Sequence, residues 1–263
     1  MRSVAIVTGG SSGIGLCTAQ SLLKKDCKVY ILSRHPFTLK GATHICADVT
    51  DELQAKQAVE HVLEREGRID LLVNCAGFGF SGAVEFTELA DAKKQLDVNF
   101  FGMVNMNRAV LGRMREQGSG RIVNISSVAA PVAIPFQTYY SASKAAINAY
   151  TCALANEVRP YGIGVCAVQP GDIATGFTAA RRKSAVGDEE YGGRISRSVS
   201  KMEHDEQNGM KPETAGAYVA KIACKKRVKP LYTIGFSYKA VCLLCKLLPC
   251  GLQNRLIGML YAK

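Results

Sequence analysis

Val4-Ala-Ile-Val-Thr-Gly-Gly-Ser-Ser-Gly-Ile-Gly15 is the stretch that decides the fold. Its apolar start, Val4–Val7, is too short for a helix and reads as a strand buried on both faces. Four glycines then fall within Gly9–Gly15, and a helical pattern follows over Gly15–Lys25. Glycines let a chain turn tightly and let a pyrophosphate approach the backbone. A helix that starts just beyond such a turn offers free N–H groups and a positive dipole end to an anion. Gly9, Ser11, Ser12, Gly13, Ile14 and Gly15 are therefore candidate contacts for a phosphate-bearing cofactor.

The pattern repeats along the chain. Val29–Leu32, Leu71–Val73, Ile122–Ile125 and Val165–Val168 are further short apolar runs bounded by Gly, Asn, Ser or Pro. Helix-length segments lie between them, including Glu52–Glu66, Asp91–Arg115 and Ser141–Val158. This β-α-β-α order predicts an α/β fold, a Rossmann-like doubly wound parallel sheet in one domain. Residues 1–235 are assigned to it. Residues 176–212 are rich in charge and glycine and read as a lid-like excursion after a strand. Residues 236–263 form a hydrophobic helical extension.

Bulk properties narrow the class. A chain of 263 residues that is 48% hydrophobic can bury one sizeable core. A formal charge of +11 suits an anionic partner such as a phosphate-bearing cofactor, an acidic carrier or a membrane surface. Lysine and arginine are not interleaved with aromatics in a block, which argues against nucleic acid. The ten cysteines are scattered through helices and strands in a chain without a signal-like start, so reduced thiols and a cytoplasmic setting are expected. Cys242-x-x-Cys245 has no second pair at zinc spacing, and the four histidines form no metal or catalytic spacing, so no metal is expected.

The second strand ends in Leu32-Ser33-Arg34-His35. An acidic residue there, about 20 positions past the glycines, would bind a ribose 2′-hydroxyl. This chain has a guanidinium instead. Arg34 can pair with a 2′-phosphate and Ser33 can hydrogen-bond it, so NADP(H) is favoured over NAD(H).

Tyr140-Ser-Ala-Ser-Lys144 places a phenol and an ammonium four residues apart on a helical segment. Positions i and i+4 share a helix face. A neighbouring ammonium favours the phenolate and is expected to lower the tyrosine pKa towards a useful range. Tyr139 would lie about 140° around the axis from Lys144, against about 40° for Tyr140, so the geometry selects Tyr140.

Taken in order, these motifs resemble the short-chain dehydrogenase/reductase family over about residues 4–177. Thr8–Gly15 is similar to its T-G-x-x-x-G-x-G, and Asp48-Val49 to its adenine contact. Asn74-Cys75-Ala76-Gly77 stands where N-N-A-G is usual, with Cys75 the departure; Ala130 likewise replaces a common glycine. Asn99 matches the family's helix asparagine, and Ser127 lies 13 residues before Tyr140, as is typical. Pro170-Gly171-Asp172-Ile173-Ala174-Thr175 matches P-G-x-x-x-T. The resemblance implies that Tyr140 is the general acid/base and that Ser127 orients the substrate oxygen. Lys144 would bind the nicotinamide ribose and Asn99 would hold a water leading to Lys144. It also implies cofactor contacts at Asp48, Val49, Asn74, Ala76, Gly77, Tyr140, Lys144, Pro170, Gly171, Ile173 and Thr175.

Substrate is expected at the segments 78–82, 128–137 and the lid. Val132, Ile134, Phe136 and Phe177 make these apolar, which favours a lipophilic alcohol or ketone: a steroid, a bile acid or a long-chain oxo compound. Lys246, Pro249 and Arg255 interrupt the tail, so two short amphipathic helices fit better than a membrane span. Leu252, Leu256, Ile257 and Leu260 are expected on one face, which could meet a membrane interface, cover the pocket or pack in a subunit contact. The leading expectation is an NADP(H)-dependent oxidoreductase acting on a lipophilic substrate, working as a homodimer or homotetramer through the long helices. A 3-oxoacyl thioester reductase and a non-catalytic nucleotide sensor are the alternatives.

Overall fold

The computed structural model describes residues 2–262. Met1 and Lys263, the outer ends of the two expected segments, lie outside the described residues. In chain order the elements are β1 (Val4–Thr8), α1 (Gly13–Leu23), β2 (Lys28–Ser33), β3 (Ala42–Cys46), α2 (Glu52–Glu66), β4 (Leu71–Asn74), β5 (Phe80–Ser81), α3 (Leu89–Leu96), a π-helical turn (Asp97–Phe101) and α4 (Gly102–Glu116). There follow β6 (Gly120–Ile125), α5 (Thr138–Val158), β7 (Ile163–Gln169), α6 (Phe177–Ala180), β8 (Arg182–Lys183), α7 (Arg194–Gln207), α8 (Pro212–Ala223), β9 (Leu231–Thr233), α9 (Phe236–Leu247) and α10 (Cys250–Tyr261).

Seven strands form one sheet in the order β3-β2-β1-β4-β6-β7-β9, and every pairing is parallel. All residues of β1 and β4 are buried, as a sheet covered on both faces requires. One core packs α2, α4 and α5 against one face through Ile6, Leu72, Val59, Met106 and Leu154. The other packs α1 and α8 against the opposite face through Val7, Val73, Leu22 and Val219. The helices α1 and α8 touch closely because Gly216 has no side chain: a Cβ there would meet the Cys17 backbone at 2.5 Å. The expected Rossmann-like doubly wound sheet is thus the observed one. From β1 the chain winds outward to β2 and β3, then returns to β4 on the other side of β1. That reversal opens a crevice above β1 and β4, the place where such sheets bind ligands.

Local chemistry sets the element ends. The Asp51 carboxylate accepts from the Leu53 and Gln54 N–H groups at 2.9 and 3.1 Å and starts α2. Gly67, at φ 67°, stops it. Two strands of this sheet escape the apolar-run criterion, as do β5 and β8, which pair with each other in a separate two-stranded sheet. β3 is a half-exposed edge strand and β9 is three residues long, so neither carries a continuous apolar signature. The single helix expected over Asp91–Arg115 is interrupted by the π-helical turn, which carries Asn99. The excursion 176–212 is stitched down by Lys183–Glu203 and Arg182–Asp91 contacts, each at 2.6 Å. In the tail, Ile257 points inward and is buried, while Leu252, Leu256 and Leu260 face out. The four residues expected on one face are therefore divided, because α10 lies against α7 rather than free in solvent.

Candidate active site

Above the carboxyl ends of β1, β4, β6 and β7 lies a cavity of about 260 Å³. Its lining includes Gly9, Ser12, Gly13, Ile14, Gly15, Ala76, Gly77, Ser127, Tyr140, Lys144, Pro170, Gly171, Ile173 and Thr175. The motifs that are far apart in sequence therefore converge on one space.

The glycine turn forms one end. Gly9 has φ 61°, and a Cβ on it would lie 2.8 Å from Ala76 backbone atoms. A Cβ on Gly15 would lie 2.3 Å from the Gly9 carbonyl oxygen. Bare backbone is needed at both positions. The Ser12 side chain makes no cap to α1, and no acidic residue stands in the first turn. The first N–H groups of α1 thus face the cavity without a competing carboxylate, and the cradle fits a pyrophosphate.

At the catalytic end, Lys144 Nζ donates to the Ile125 carbonyl oxygen at 2.8 Å and sits 5.6 Å from the centroid of the Tyr140 ring. The lysine is only 6% exposed, and burial pulls its pKa from the ordinary 10.5 to about 8. Tyr140 goes the other way. Burial pushes the phenol up to about 12, with smaller help from the Glu206 and Asp172 carboxylates; a hydrogen bond with Ser127 and the Arg181 charge oppose it. The expectation that Lys144 would hold this phenol below its ordinary value is not met, because loss of water outweighs the neighbouring charges. Ser127 Oγ also accepts from the Ala129 N–H at 3.1 Å. Ser126 instead donates to the Lys144 carbonyl oxygen at 3.0 Å, so its hydroxyl is engaged with the helix backbone.

Asn99 lies behind this group. Its Oδ1 accepts from the Phe78 N–H at 2.9 Å, and its Nδ2 donates to the Phe78 carbonyl oxygen at 3.0 Å and to Ser143 Oγ at 3.2 Å. A Cβ on Gly77 would lie 3.1 Å from Asn99 Oδ1 and 3.9 Å from Lys144 Nζ. The π-helical turn thus presents an amide that clamps the loop after β4. π-Helical turns recur at functional sites for this kind of placement.

Several expected cofactor residues stand outside the cavity lining. Ser11 adjoins it in the glycine turn. Ser33 Oγ donates to the His35 carbonyl oxygen at 3.0 Å and shares a hydrogen bond with His44 Nε2 at 2.8 Å. Arg34 is exposed at the end of β2. Asp48 Oδ1 accepts from the Thr50 N–H and hydroxyl at 2.9 and 2.8 Å, and Val49 is buried against Gly102. The Asn74 side chain is engaged within the core. Its Nδ2 donates to Asn107 Oδ1 at 2.8 Å and Asn124 Oδ1 at 2.9 Å, tying β4 to α4 and β6 inside the core.

The substrate side also differs in detail. Phe78, Ile134 and Phe177 line the cavity, and the Phe177 ring lies 5.8 Å from that of Tyr140. Phe136 does not line it; it is buried with Ile195, Val199 and Met202 in a separate cluster. Cys75, Gln137, Asp172, Met202, Glu206 and Tyr261 also face the cavity, and none of them is singled out by sequence reasoning as a site residue, although Gln137, Met202 and Glu206 fall within the expected substrate segments. Asp172 sits within a quoted motif and could have been found there. Tyr261 has no local signal, because only the packing of α10 against α7 brings it to the site. All ten cysteines are free, and no metal-binding cluster occurs among the described residues.

The family model described as short chain dehydrogenase matches residues 3–185. A 3-ketodihydrosphingosine reductase from Bacteroides thetaiotaomicron is 42% identical over 243 residues, covering 89% of this chain and 90% of the relative. A short-chain dehydrogenase from Streptomyces avermitilis superimposes with a TM-score of 0.83 at 29% identity, covering 94% of this chain and 92% of the other. The structure of ElxO with NADP bound superimposes with a TM-score of 0.76 at 27% identity, covering 91% of this chain and all of the other.

The site yields a stability prediction. Lys144 binds its proton less tightly in the folded chain than in the unfolded one. Below about pH 8 both states hold the proton and the burial penalty is present in full. Between about pH 8 and the ordinary 10.5 the unfolded chain binds more protons, so this group's contribution to stability rises with pH. Urea midpoints at pH 7 and 9.5 should show wild type gaining on Lys144→Met as pH rises; a constant gap would mean the ammonium is not desolvated.

Proposed function

The chain belongs to the short-chain dehydrogenase/reductase family, and from that membership we propose an NADP(H)-dependent reductase of a long-chain lipid ketone, most closely a 3-ketosphingoid. One observation carries this reading. Tyr140, Ser127 and Lys144 converge on a cavity whose other walls include Ile134, Phe177, Ala180 and Met202, in a chain similar to a reductase of that substrate class. A steroid or bile acid has no comparable support.

The nicotinamide nucleotide supplies the hydride when bound. The turn Gly9–Gly15 would hold its pyrophosphate, and Pro170, Gly171, Ile173 and Thr175 line the side where the nicotinamide end is expected. Tyr140 gives its phenolic proton to the carbonyl oxygen as that oxygen becomes an alkoxide, and takes a proton back from solvent afterwards. A buried phenol is fully protonated at neutral pH and so is ready as the donor. Ser127 hydrogen-bonds the same oxygen and orients it. Lys144 would hold the ribose hydroxyls, with Asn99 fixing the loop beside it. Arg34, an exposed guanidinium at the end of β2 with no carboxylate at that strand end, supports the NADP(H) preference.

The proposal extends to partners. Leu89 and Phe101 are exposed on α3 and the π-helical turn, which supports a homo-oligomer through the long helices. The tail supports peripheral membrane contact. Phe236, Leu243, Leu244, Leu247, Leu252, Leu256, Met259 and Leu260 are exposed, with Phe236 at 89% and Leu247 at 73%. Residues 214–262 contain no Asp or Glu, whereas Lys239, Lys246 and Arg255 stand among the exposed leucines. No helix among the described residues is long and apolar enough to cross a membrane, so the tail would lie in the interface of an anionic bilayer.

Three measurements test this reading. Tyr140→Phe should lower kcat for long-chain ketone reduction by about 10²–10⁴-fold with NADPH affinity nearly kept; near-normal turnover would remove the assignment. Arg34→Asp should weaken NADPH binding by at least about tenfold and leave NADH little changed. The full chain should sediment with vesicles containing phosphatidylglycerol and less with phosphatidylcholine alone, and the paired change Leu247→Asp, Leu256→Asp should abolish it; absence of sedimentation in wild type would sink the membrane contact.

A further inference from the structure

The cavity carries two carboxylates that the proposed chemistry leaves unused, Asp172 and Glu206. They are not equivalent. Glu206 accepts from Arg181, whose guanidinium is almost fully buried, and from Thr178 Oγ1 at 2.7 Å. Its charge is balanced within the protein. Asp172 follows Gly171 beyond the carboxyl end of β7, and Tyr238 donates to its Oδ2 at 2.5 Å. It belongs to no ion pair among the described residues. Arg181 acts on it only through space, and burial outweighs that charge, so a carboxylate withdrawn from water without a cation in contact is left destabilised. A neutral hydrocarbon ketone would leave it so. The same cavity is otherwise apolar on its substrate side, through Ile134, Phe177, Ala180 and Met202.

We propose that Asp172 is a specificity-determining residue that receives an ammonium group of the substrate, so that the enzyme prefers a long-chain ketone bearing a protonated amine beside its carbonyl. The inference rests on the carbonyl-reductase reading above and names the head group that reading requires. Ser127 and Tyr140 hold the carbonyl oxygen, and the alkyl chain follows the apolar wall. Tyr238 occupies one carboxylate oxygen and leaves the other for the amine. The three N–H donors of an ammonium suit such a site, and a charge-assisted hydrogen bond to a partly desolvated carboxylate is among the stronger polar contacts available. Tyr238 belongs to α9, so the tail also orients the recognising group: its ring packs on Gly171, where a Cβ would lie 2.3 Å from the ring.

Binding should be measured by calorimetry on the full chain holding NADPH, with a long-chain 2-amino-3-alkanol and the same alcohol without the amine. Neither can react with the reduced cofactor. The amino alcohol should bind wild type at least about tenfold more tightly. Asp172→Asn should bring that ratio close to one, while Tyr238→Phe and Glu206→Gln should keep most of it. The N-acetylated alcohol, which keeps bulk and loses charge, should bind wild type like the amine-free compound, so the test holds even where Asp172→Asn fails to fold. Equal binding of the two alcohols by wild type, or a ratio that survives Asp172→Asn, would overturn the proposal. Turnover of the corresponding ketones is read separately: reduction of neither would remove the carbonyl-reductase reading, whereas the binding ratio stands or falls without turnover.

Discussion

Two backbone turns meet almost in contact above the centre of the sheet, one after β1 and one after β4. A Cβ on Gly9 would lie 2.8 Å from the Ala76 backbone, which leaves no room for a side chain between them. The Thr8 hydroxyl accepts from the Cys75 and Ala76 N–H groups at 3.1 and 3.2 Å and holds the turns together. This closeness follows from pairing β1 with β4 in parallel register, Thr8 opposite Asn74. It sets the floor of the crevice, the start of α1 and the position of the loop that Asn99 clamps. Every group in the candidate site is located relative to it.

Loss of water is the dominant electrostatic effect in the cavity. Tyr140 is driven up and Lys144 down, both by burial. Each is pushed towards its neutral form: at neutral pH the phenol keeps its proton firmly, whereas Lys144, at about 8, keeps its own by a narrow margin. The ammonium form of Lys144 is offset by one backbone carbonyl, that of Ile125. Glu206 is ion-paired with Arg181, whereas Asp172 is held by the Tyr238 hydroxyl and feels Arg181 only through space. The cavity therefore carries an uneven charge pattern against an apolar wall, which is what the proposed ammonium recognition draws on.

Much of this architecture is legible in the residues. Buried strands appear as unbroken apolar runs because both faces of the sheet are covered. The glycine turn is legible because no other residue tolerates those contacts, and α2 because Asp51 and Gly67 mark its ends. Edge strands are not legible in the same way. β3 and β9 bury one face in part and so have no continuous apolar signature. The π-helical turn at Asp97–Phe101 was invisible because a helix with one extra residue in a turn has the same composition as one without.

The sequence by itself determined the βα order, the cofactor-type turn and the four-residue spacing of Tyr140 and Lys144, since each depends on contacts within a few residues. Only the tertiary structure decided the direction of the Tyr140 pKa shift, which depends on burial of the phenol among residues far apart in the chain, Ser127 and Phe177 among them. It also decided that Asn74 faces the core instead of the ligand space. The inward turn of Ile257, the contact of Tyr238 with Asp172 and the arrival of Tyr261 at the cavity are likewise tertiary, because the tail takes its orientation from α7 and the loop after β7. Periodicity can say that a helix has an apolar face; only the partner it meets decides which residues that face loses to the core and which it leaves to the outside.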